Sequence, residues 1–298
     1  MQEAPVLRPL SVGDIIDRTL RLFRANALLF VAIAVLPSLI VEVLQRATGV
    51  SQTFDLNDIR ATLTAPPGQV PVLPRVGVDP AIAAAVAILT VAITLTQGAA
   101  LIEAIGQRYL GRAITAREAF ERGLRAVPRL ILSAFVVVVA FVLLFVVGAV
   151  VLAVLNSAAA TAIAIIVGSI AFFFVLPWAF LSLAVVGPAI VLDGLGPIAA
   201  IRRSFHLMDR SRLRTLGLYI LIGIISSILG LIFGVVFLAS FVSDPTLQGA
   251  LQALATVASG AVSGPLLYGA LVLLYYDLRV RKEAFDLQLA AEALPREG

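Results

Sequence analysis

Six stretches of this chain are apolar over enough consecutive residues to cross a membrane as helices, and no other feature constrains the fold as strongly. A hydrocarbon layer about 30 Å thick requires roughly 17 to 25 apolar helical residues. The sequence therefore predicts six transmembrane helices, near residues 27–44, 81–105, 130–155, 158–186, 216–242 and 247–276. The fourth stretch stays apolar as far as Leu192, so we expect it to bend or stop at Pro177 and at Gly187–Pro188.

The overall composition excludes a water-soluble protein. Hydrophobic residues make up 60% of the 298 residues and charged residues 13%, against roughly 45 to 50% and about 25% in soluble domains. The mean hydropathy is +1.04, so a soluble fold of this size would expose apolar side chains over much of its surface. We expect residues 1–298 to form a single all-α integral membrane domain.

Residue types that carry common chemistry are scarce. The chain has no cysteine and one histidine, His206, which excludes disulfides and thiolate metal sites and leaves too few ligands for a zinc centre. His206 lies among arginines rather than beside a serine, so a Ser-His-Asp arrangement is not indicated either. We predict no catalytic residue, no cofactor, no metal and no enzymatic activity. An intramembrane hydrolase would need a nucleophile, a base and an oxyanion donor that we cannot assemble.

The basic residues predict how the chain is oriented. Nineteen of the 22 lysines and arginines fall on one side of the predicted spans, and Arg46, Arg60 and Arg75 fall on the other. Because Lys and Arg accumulate in short cytoplasmic loops, both termini should be cytoplasmic. The tyrosines at the same ends of the spans are typical of an interfacial aromatic belt; they are Tyr109, Tyr219, Tyr275 and Tyr276. No soluble segment is long enough for a nucleic-acid-binding module, so no nucleic-acid partner is expected.

Three basic segments line up at offsets of 104 and 185 residues from the first. They begin at the helix-start signals Ser11, Thr115 and Gly196–Pro197. Each segment carries apolar residues at i, i+4 and i+7, which is one helical face. These residues are Ile16, Leu20 and Phe23, then Phe120, Leu124 and Val127, and finally Ile201, Phe205 and Met208.

The alignment predicts a pseudo-threefold repeat. Each unit would be a cytoplasmic amphipathic helix at the membrane interface, followed by a hairpin of two spans, over residues 11–105, 115–192 and 196–276, with a cytoplasmic tail at 277–298. Arginines on the amphipathic helices would reach anionic lipid headgroups. The candidate headgroup-binding residues are Arg18, Arg21, Arg122, Arg125 and Arg203.

Polar residues inside the spans are candidates for function because they are costly there, by roughly 2.5 to 3.5 kcal/mol for an acidic residue at mid-bilayer. The candidate intramembrane polar residues are Gln97 and Glu103. Glu103 lies near a cytoplasmic helix end, where an ion pair would also explain it. We interpret Asp277, beside Arg279 and Arg281, as a charged helix end rather than as a site.

Several short motifs resemble those of a family of bacterial multi-span membrane proteins, the glycerophosphoryl diester phosphodiesterase membrane-domain family. The motifs are residues 7–18 (LRPLSVGDIIDR), 109–112 (YLGR), 202–205 (RRSF), 275–283 (YYDLRVRKE) and Phe285-Asp286. In fused members the phosphodiesterase chemistry belongs to a TIM-barrel domain of some 250 residues. The chain ends about 20 residues after its last predicted span, so we expect the membrane part alone. The resemblance therefore implies no catalytic residue.

These observations favour a non-enzymatic, polytopic membrane protein of the bacterial inner membrane. Its predicted role is a scaffold that engages anionic lipid headgroups or a membrane protein partner. The alternative is a transporter or channel for a small or lipid-like solute, with Gln97 and Glu103 along its path.

Overall fold

The computed structural model describes residues 9–49, 79–155, 158–238, 245–285 and 288, and it contains helices and no strand within these ranges. The helices are α1 (Val12–Ala25), α2 (Ala27–Ala47), α3 (Pro80–Tyr109), α4 (Ala116–Leu155), α5 (Ala158–Ile170), a π-helical turn (Ala171–Val175), α6 (Leu176–Ser182), α7 (Val186–Asp193), α8 (Pro197–Met208), α9 (Arg212–Leu238) and α10 (Pro245–Glu283). The predicted outer loop lies outside the described residues over 50–78. So do Asn156–Ser157, residues 243–244 and most of the predicted tail.

Six helical segments within the described residues are long and apolar enough to cross a membrane, as in a multi-pass membrane protein. They are Ala27–Ala47, Pro80–Tyr109, Ala116–Gly148, Ile166–Asp193, Arg212–Ile232 and Gly249–Glu283. Each overlaps one predicted span. The all-α, six-span prediction is therefore confirmed at this level.

Helix starts and breaks follow local chemistry. Ser11 and Asp14 exchange side-chain and backbone hydrogen bonds at the start of α1, which is a capping box. Thr115 and Glu118 do the same before α4, with a distance of 2.9 Å from the Thr115 amide to Glu118 Oε2. The fourth span is interrupted at both predicted places, by the π-helical turn that precedes Pro177 and by the turn between α6 and α7.

One predicted boundary is wrong. The second amphipathic segment is not a separate interfacial helix, because it continues without a break into the long helix α4, with Pro128 inside it. At the other two junctions, Asn26 leaves the helical conformation after α1 and Arg210 takes a positive φ of 57° after α8. Residues 116–130 hold no such cap, and a proline can kink a helix without ending it.

The best-buried part of the molecule lies at one end of the bundle. Residues 98–106 of α3 and 269–278 of α10 are buried on every face. Around these two helix ends pack α1, residues 116–129 of α4, α7 and α8; we call this set the collar and this end of the bundle the polar end. Beyond the collar most apolar side chains of α4 and α9 are exposed, such as Phe145 and Leu231. The hydrophobic core therefore forms where the amphipathic helices wrap the span ends.

The burial pattern corrects the expected aromatic belt. Tyr275 and Tyr276 are 0% and 4% exposed, so they are core residues rather than interfacial anchors. Tyr276 stacks between Tyr109 and Phe285, with ring centroids 5.5 and 5.7 Å away. Such aromatic pairs contribute roughly 0.5 to 1.5 kcal/mol each beyond their buried area. The stack joins the ends of α3 and α10 inside the collar.

The repeat agrees with the structure only in part. Of the nine apolar residues that define it, eight are buried or half-buried and Leu124 is 59% exposed. Helices α2 and α3 pack together, as do α9 and α10, but α4 packs along α3 of the preceding predicted unit. The three-hairpin, pseudo-threefold arrangement stays a prediction.

Candidate functional site at the polar end

Three acidic side chains that are buried or largely buried lie within the polar end, and arginines contact each of them. They are Glu103 of α3, Asp193 of α7 and Asp277 of α10. A carboxylate withdrawn from water is stable only when it is paired or hydrogen-bonded. The arginines that pair with these three residues are therefore engaged in internal ion pairs.

Asp277 holds the chain segment that precedes α1. Its side chain is fully buried and accepts a hydrogen bond of 2.6 Å from the Leu10 backbone N–H. It also pairs with Arg214 of α9 at 2.5 Å and with Arg281 one turn along α10 at 3.0 Å. Both guanidinium groups donate to the Leu10 carbonyl as well. The result is a closed cluster, the Asp277 clamp, in which the carboxylate and both Leu10 backbone groups are hydrogen-bonded.

Asp193 organises a second network on the neighbouring face. It accepts a hydrogen bond of 2.5 Å from the Tyr275 hydroxyl and pairs with Arg279 at 3.1 Å and with Arg203 at 3.3 Å. Arg203 and Arg279 both pair with Glu283 too, at 2.7 and 3.2 Å. Two carboxylates thus face two guanidinium groups. Burial alone would lower the pKa of Arg203, but Tyr275, Asp193 and Glu283 outweigh it and hold that pKa above its usual value.

The two predicted intramembrane polar residues lie apart and each has a partner. The Gln97 amide donates to the Ala34 carbonyl at 2.7 Å and to the Ser38 hydroxyl at 3.2 Å, which ties α3 to α2. Glu103, 6% exposed, accepts from Gln107 at 3.0 Å and from Arg122 of α4 at 3.1 Å. The two residues therefore contact different helices and do not form one site.

The structure separates the five predicted headgroup-binding arginines. Three of them make contacts inside the polar end. Arg18 donates to the Tyr109 hydroxyl at 3.3 Å, while Arg122 and Arg203 pair with buried or half-buried acids. Arg21 is exposed but pairs with Asp17 of the same helix at 2.6 Å. Arg125 is exposed, and its guanidinium has no hydrogen bond or ion pair with another described residue.

Four further arginines share the situation of Arg125, which makes five in all. They are exposed, and their guanidinium groups make no hydrogen bond or ion pair within the described part of the chain: Arg24, Arg112, Arg125, Arg202 and Arg210. We call them the open arginines. All five lie on the collar or on the short segments that join it. Each can offer a planar set of donors that matches a phosphate or carboxylate.

Sequence reasoning counted the other four open arginines toward orientation but did not single them out. A usable signal was present, because Arg21 and Arg117 each have an acidic residue four positions away on the same helix. Arg24, Arg112 and Arg202 have none at three or four positions. Arg125 escapes this rule, since Glu121 pairs with Arg117 instead.

Two of the three buried acids, Asp193 and Asp277, were also missed. Asp277 was interpreted as a charged helix end, and the structure corrects this, because its side chain lies inside the core. The signal was its position within the apolar run LVLLYYDL, where an exposed charge would interrupt a buried face. Within the described ranges, no group of three or more His, Asp or Glu residues is placed to hold a metal ion.

Comparison with known proteins gives one match. A family profile described as "Domain of unknown function (DUF7847)" matches residues 10–278. No curated protein and no solved structure matches the chain. The matched region contains Glu103, Asp193 and Asp277 as well as the five open arginines.

Proposed function

Since the chain belongs to the family described as a domain of unknown function (DUF7847), we propose its function from the geometry of the polar end. The protein is a non-enzymatic membrane scaffold whose open arginines bind anionic lipid headgroups at the surface of the bacterial cytoplasmic membrane. The same arginines could instead bind the carboxylates of a membrane protein with an acidic surface, which is the second candidate partner.

A single observation carries this proposal, namely the division of the arginines at the polar end. The acidic residues there neutralise Arg122, Arg203, Arg214 and Arg279, while the five open arginines point to no acid among the described residues. An arginine near an anionic membrane surface is attracted by about 1 kcal/mol. The unpaired guanidinium groups of the collar are therefore free to bind the phosphates of anionic lipids.

Helix lengths support a bilayer that begins where the collar ends. Residues 80–97 of α3 lie outside the buried stretch, and at about 1.5 Å per residue they span about 27 Å. Helix α2, with 21 residues, spans about 32 Å. Both values match a hydrocarbon layer of about 30 Å. The collar would then lie at the headgroup level on the cytoplasmic side, with the open arginines facing phosphates.

The transporter alternative has less support. Gln97 and Glu103 bond to neighbouring helices instead of facing a shared path.

The likeness to the glycerophosphoryl diester phosphodiesterase membrane domain stays a prediction from short motifs. It accords with a membrane part that has no catalytic residue of its own.

The lipid-binding role is tested by removing the open arginines together. We expect wild-type protein, extracted in polymer nanodiscs from membranes of equal phosphatidylglycerol and phosphatidylcholine, to carry an excess of phosphatidylglycerol. At about 1 kcal/mol per arginine, or about fivefold per site, the quintuple Arg→Gln variant should bring the ratio close to that of the bulk membrane. Lipid composition is measured by mass spectrometry.

A matched control uses arginines that are exposed but already paired. Arg21 and Arg117 have side chains that are 67% and 88% exposed, and each pairs with an acid on its own helix. The variant Arg21→Gln should keep most of the phosphatidylglycerol excess. Arg117 stays unchanged in this control, because its loss would free Glu121 to pair with Arg125. Equal ratios in wild type and the quintuple variant would exclude the proposed role.

The orientation can be tested independently, because the chain contains no cysteine. Single cysteines at Asp58 and Glu121 lie on opposite sides of the predicted topology. In intact bacterial cells a membrane-impermeant maleimide should label Asp58→Cys and leave Glu121→Cys unlabelled until the membrane is opened. Labelling of both positions from the same side contradicts the proposed topology.

A further inference from the structure

The single tryptophan of the chain lies against an arginine where the fourth span enters the collar. Trp178 belongs to α6, and the guanidinium of Arg212, the first residue of α9, lies 4.5 Å from the centroid of its ring. The buried Ser204 of α8 donates a hydrogen bond of 2.7 Å to the carbonyl of Ser182, the last residue of α6. Three helices therefore meet around the Trp178–Arg212 pair, and one of them belongs to the collar.

Local contacts hold the Arg212 guanidinium in one orientation. Its Nε donates to the Ser182 hydroxyl at 2.8 Å, and that hydroxyl donates in turn to the Trp178 carbonyl at 2.8 Å. The indole ring adds a cation–π contact, which suits arginine because its guanidinium is planar. A donor that is already fixed loses little further freedom when it binds a ligand. Arg212 is therefore preorganised for binding.

Part of this guanidinium is still available to a ligand. Nη2 makes no hydrogen bond or ion pair with a described residue, and it is not sealed from solvent. The acid nearest to Nη1 is Asp209, at 3.7 Å and with a side chain that is 60% exposed. That separation is longer than a hydrogen bond, and such an exposed pair contributes little. Arg212 therefore keeps donors for an anion, beside a Trp178 ring that is 46% exposed.

The surroundings match a ligand with an anionic end and an apolar body. Away from the collar lie Phe174, one turn before Trp178, and Leu216, one turn after Arg212, which are 70% and 40% exposed. On the collar side lies the open Arg210. Tryptophan is enriched at the membrane interface because its ring is apolar and its N–H is polar. The site therefore lies at the level where a phospholipid changes from headgroup to acyl chain.

We infer that Trp178, Ser182 and Arg212 form a binding site for one phospholipid, whose phosphodiester is bound by Arg212. The guanidinium supplies charge-assisted hydrogen bonds to the phosphate oxygens, Ser182 positions it, and Trp178 contacts the apolar part of the lipid. Because all phospholipids share the phosphodiester, the site does not require an anionic headgroup. The inference goes beyond the proposed function, since Arg212 is not one of the open arginines.

Trp178 reports on this site directly, because the chain has no other tryptophan. In detergent micelles, phosphatidylcholine brominated on its acyl chains should quench the Trp178 fluorescence and saturate at one lipid per chain. Diacylglycerol with the same brominated chains lacks the phosphate, so it should need an about tenfold higher mole fraction for equal quenching. Millimolar inorganic phosphate should leave the quenching unchanged. Relief of quenching by inorganic phosphate would assign the site to free phosphate and contradict a lipid.

Two substitutions should move the affinity in opposite directions. Arg212→Gln removes the charge and should raise the required mole fraction of phosphatidylcholine about tenfold. Asp209→Asn removes the carboxylate that competes for the guanidinium and should lower this mole fraction about threefold. A gain in affinity is not a consequence of misfolding. The matched control Arg21→Gln also removes an arginine from an exposed pair with an acid and should behave as wild type.

Three results would overturn the inference. It is wrong if brominated phosphatidylcholine and brominated diacylglycerol quench Trp178 alike, or if Asp209→Asn weakens the binding. It is also wrong if Arg212→Gln, eluting as a single species with unchanged helicity, is quenched as wild type is. Arg212→Lys keeps the charge without the planar donors and should fall between the two. It replaces Arg212→Gln in this test if the glutamine variant does not fold.

The phospholipid site and the proposed function can fail separately. A quadruple Arg→Gln variant that leaves Arg210 and Arg212 in place changes the other four open arginines. It should lose most of the phosphatidylglycerol excess and keep the saturable quenching of Trp178. Loss of the excess together with equal quenching by the two brominated lipids would refute the phospholipid site alone. Phosphate-dependent quenching together with an unchanged excess would refute the proposed function alone.

Discussion

Asp277→Ala is expected to destabilise the protein more than any other single substitution considered for this chain. The change removes the carboxylate that accepts from Leu10 and pairs with Arg214 and Arg281. Arg214, whose side chain is 22% exposed, then keeps a positive charge without its partner. Breaking a buried pair from one side costs roughly 3 to 5 kcal/mol. For a chain of 298 residues this corresponds to a loss of roughly 5 to 8 °C in the midpoint of thermal denaturation, measured in detergent.

Two further variants separate the causes of this loss. Asp277→Asn keeps an oxygen that can accept from the Leu10 N–H but removes the charge, so its midpoint should fall between those of wild type and Asp277→Ala. Asp17→Asn removes one partner of an exposed pair and should change stability by less than about 1 kcal/mol. If Asp277→Ala denatures at the same temperature as Asp17→Asn, the Asp277 clamp does not hold the N-terminal segment.

Gly123→Ala is expected to have the second largest effect, through the contact between α3 and α4. A Cβ at Gly123 would lie 2.7 Å from the Ala100 backbone nitrogen and 3.0 Å from its Cα. Backbone atoms of a packed helix cannot move aside as a flexible side chain can. Overpacking of this kind costs about 1 to 3 kcal/mol, and occasionally more. The same thermal measurement in detergent should show a lower midpoint, with loosened packing at the collar.

Gly223→Ala is the matched control for this prediction. Gly223 lies inside α9, is exposed, and a Cβ there would meet no atom within 4 Å. Because alanine favours a helix over glycine by roughly 0.5 to 1 kcal/mol, Gly223→Ala should leave the midpoint unchanged or raise it slightly. Equal midpoints for Gly123→Ala and Gly223→Ala would show that the α3–α4 contact tolerates an extra methyl group.

Local features of this protein follow from the sequence because their causes are local. Ser11 and Thr115 each have an acid three residues later, and both pairs form capping boxes. The interruptions of the fourth span lie next to Pro177 and Pro188, since proline lacks the N–H that a continuous helix needs. The number of spans follows from hydropathy over windows of about 20 residues.

Other features depend on which helices meet. The continuous α4 was missed because the repeat alignment predicted a separate interfacial helix before the third span, whereas the helix continues through Pro128. Glu103 forms its ion pair with Arg122 of α4 and not with Arg108, which is nearer in the sequence. This choice of partner depends on how α4 crosses α3. The open arginines could be sorted from the paired ones in part by i, i+4 spacing. Arg203 could not, because its partners Asp193 and Glu283 lie on other helices.

The sequence by itself determined that this is a helical protein with six stretches suited to a membrane, with most of its positive charge on one side. The tertiary structure decided where the core lies, which acids are buried and which arginines stay open. The reason is physical. Hydropathy measures only the transfer of a side chain out of water, and an apolar side chain leaves water equally well into lipid or into the packed interior of the collar.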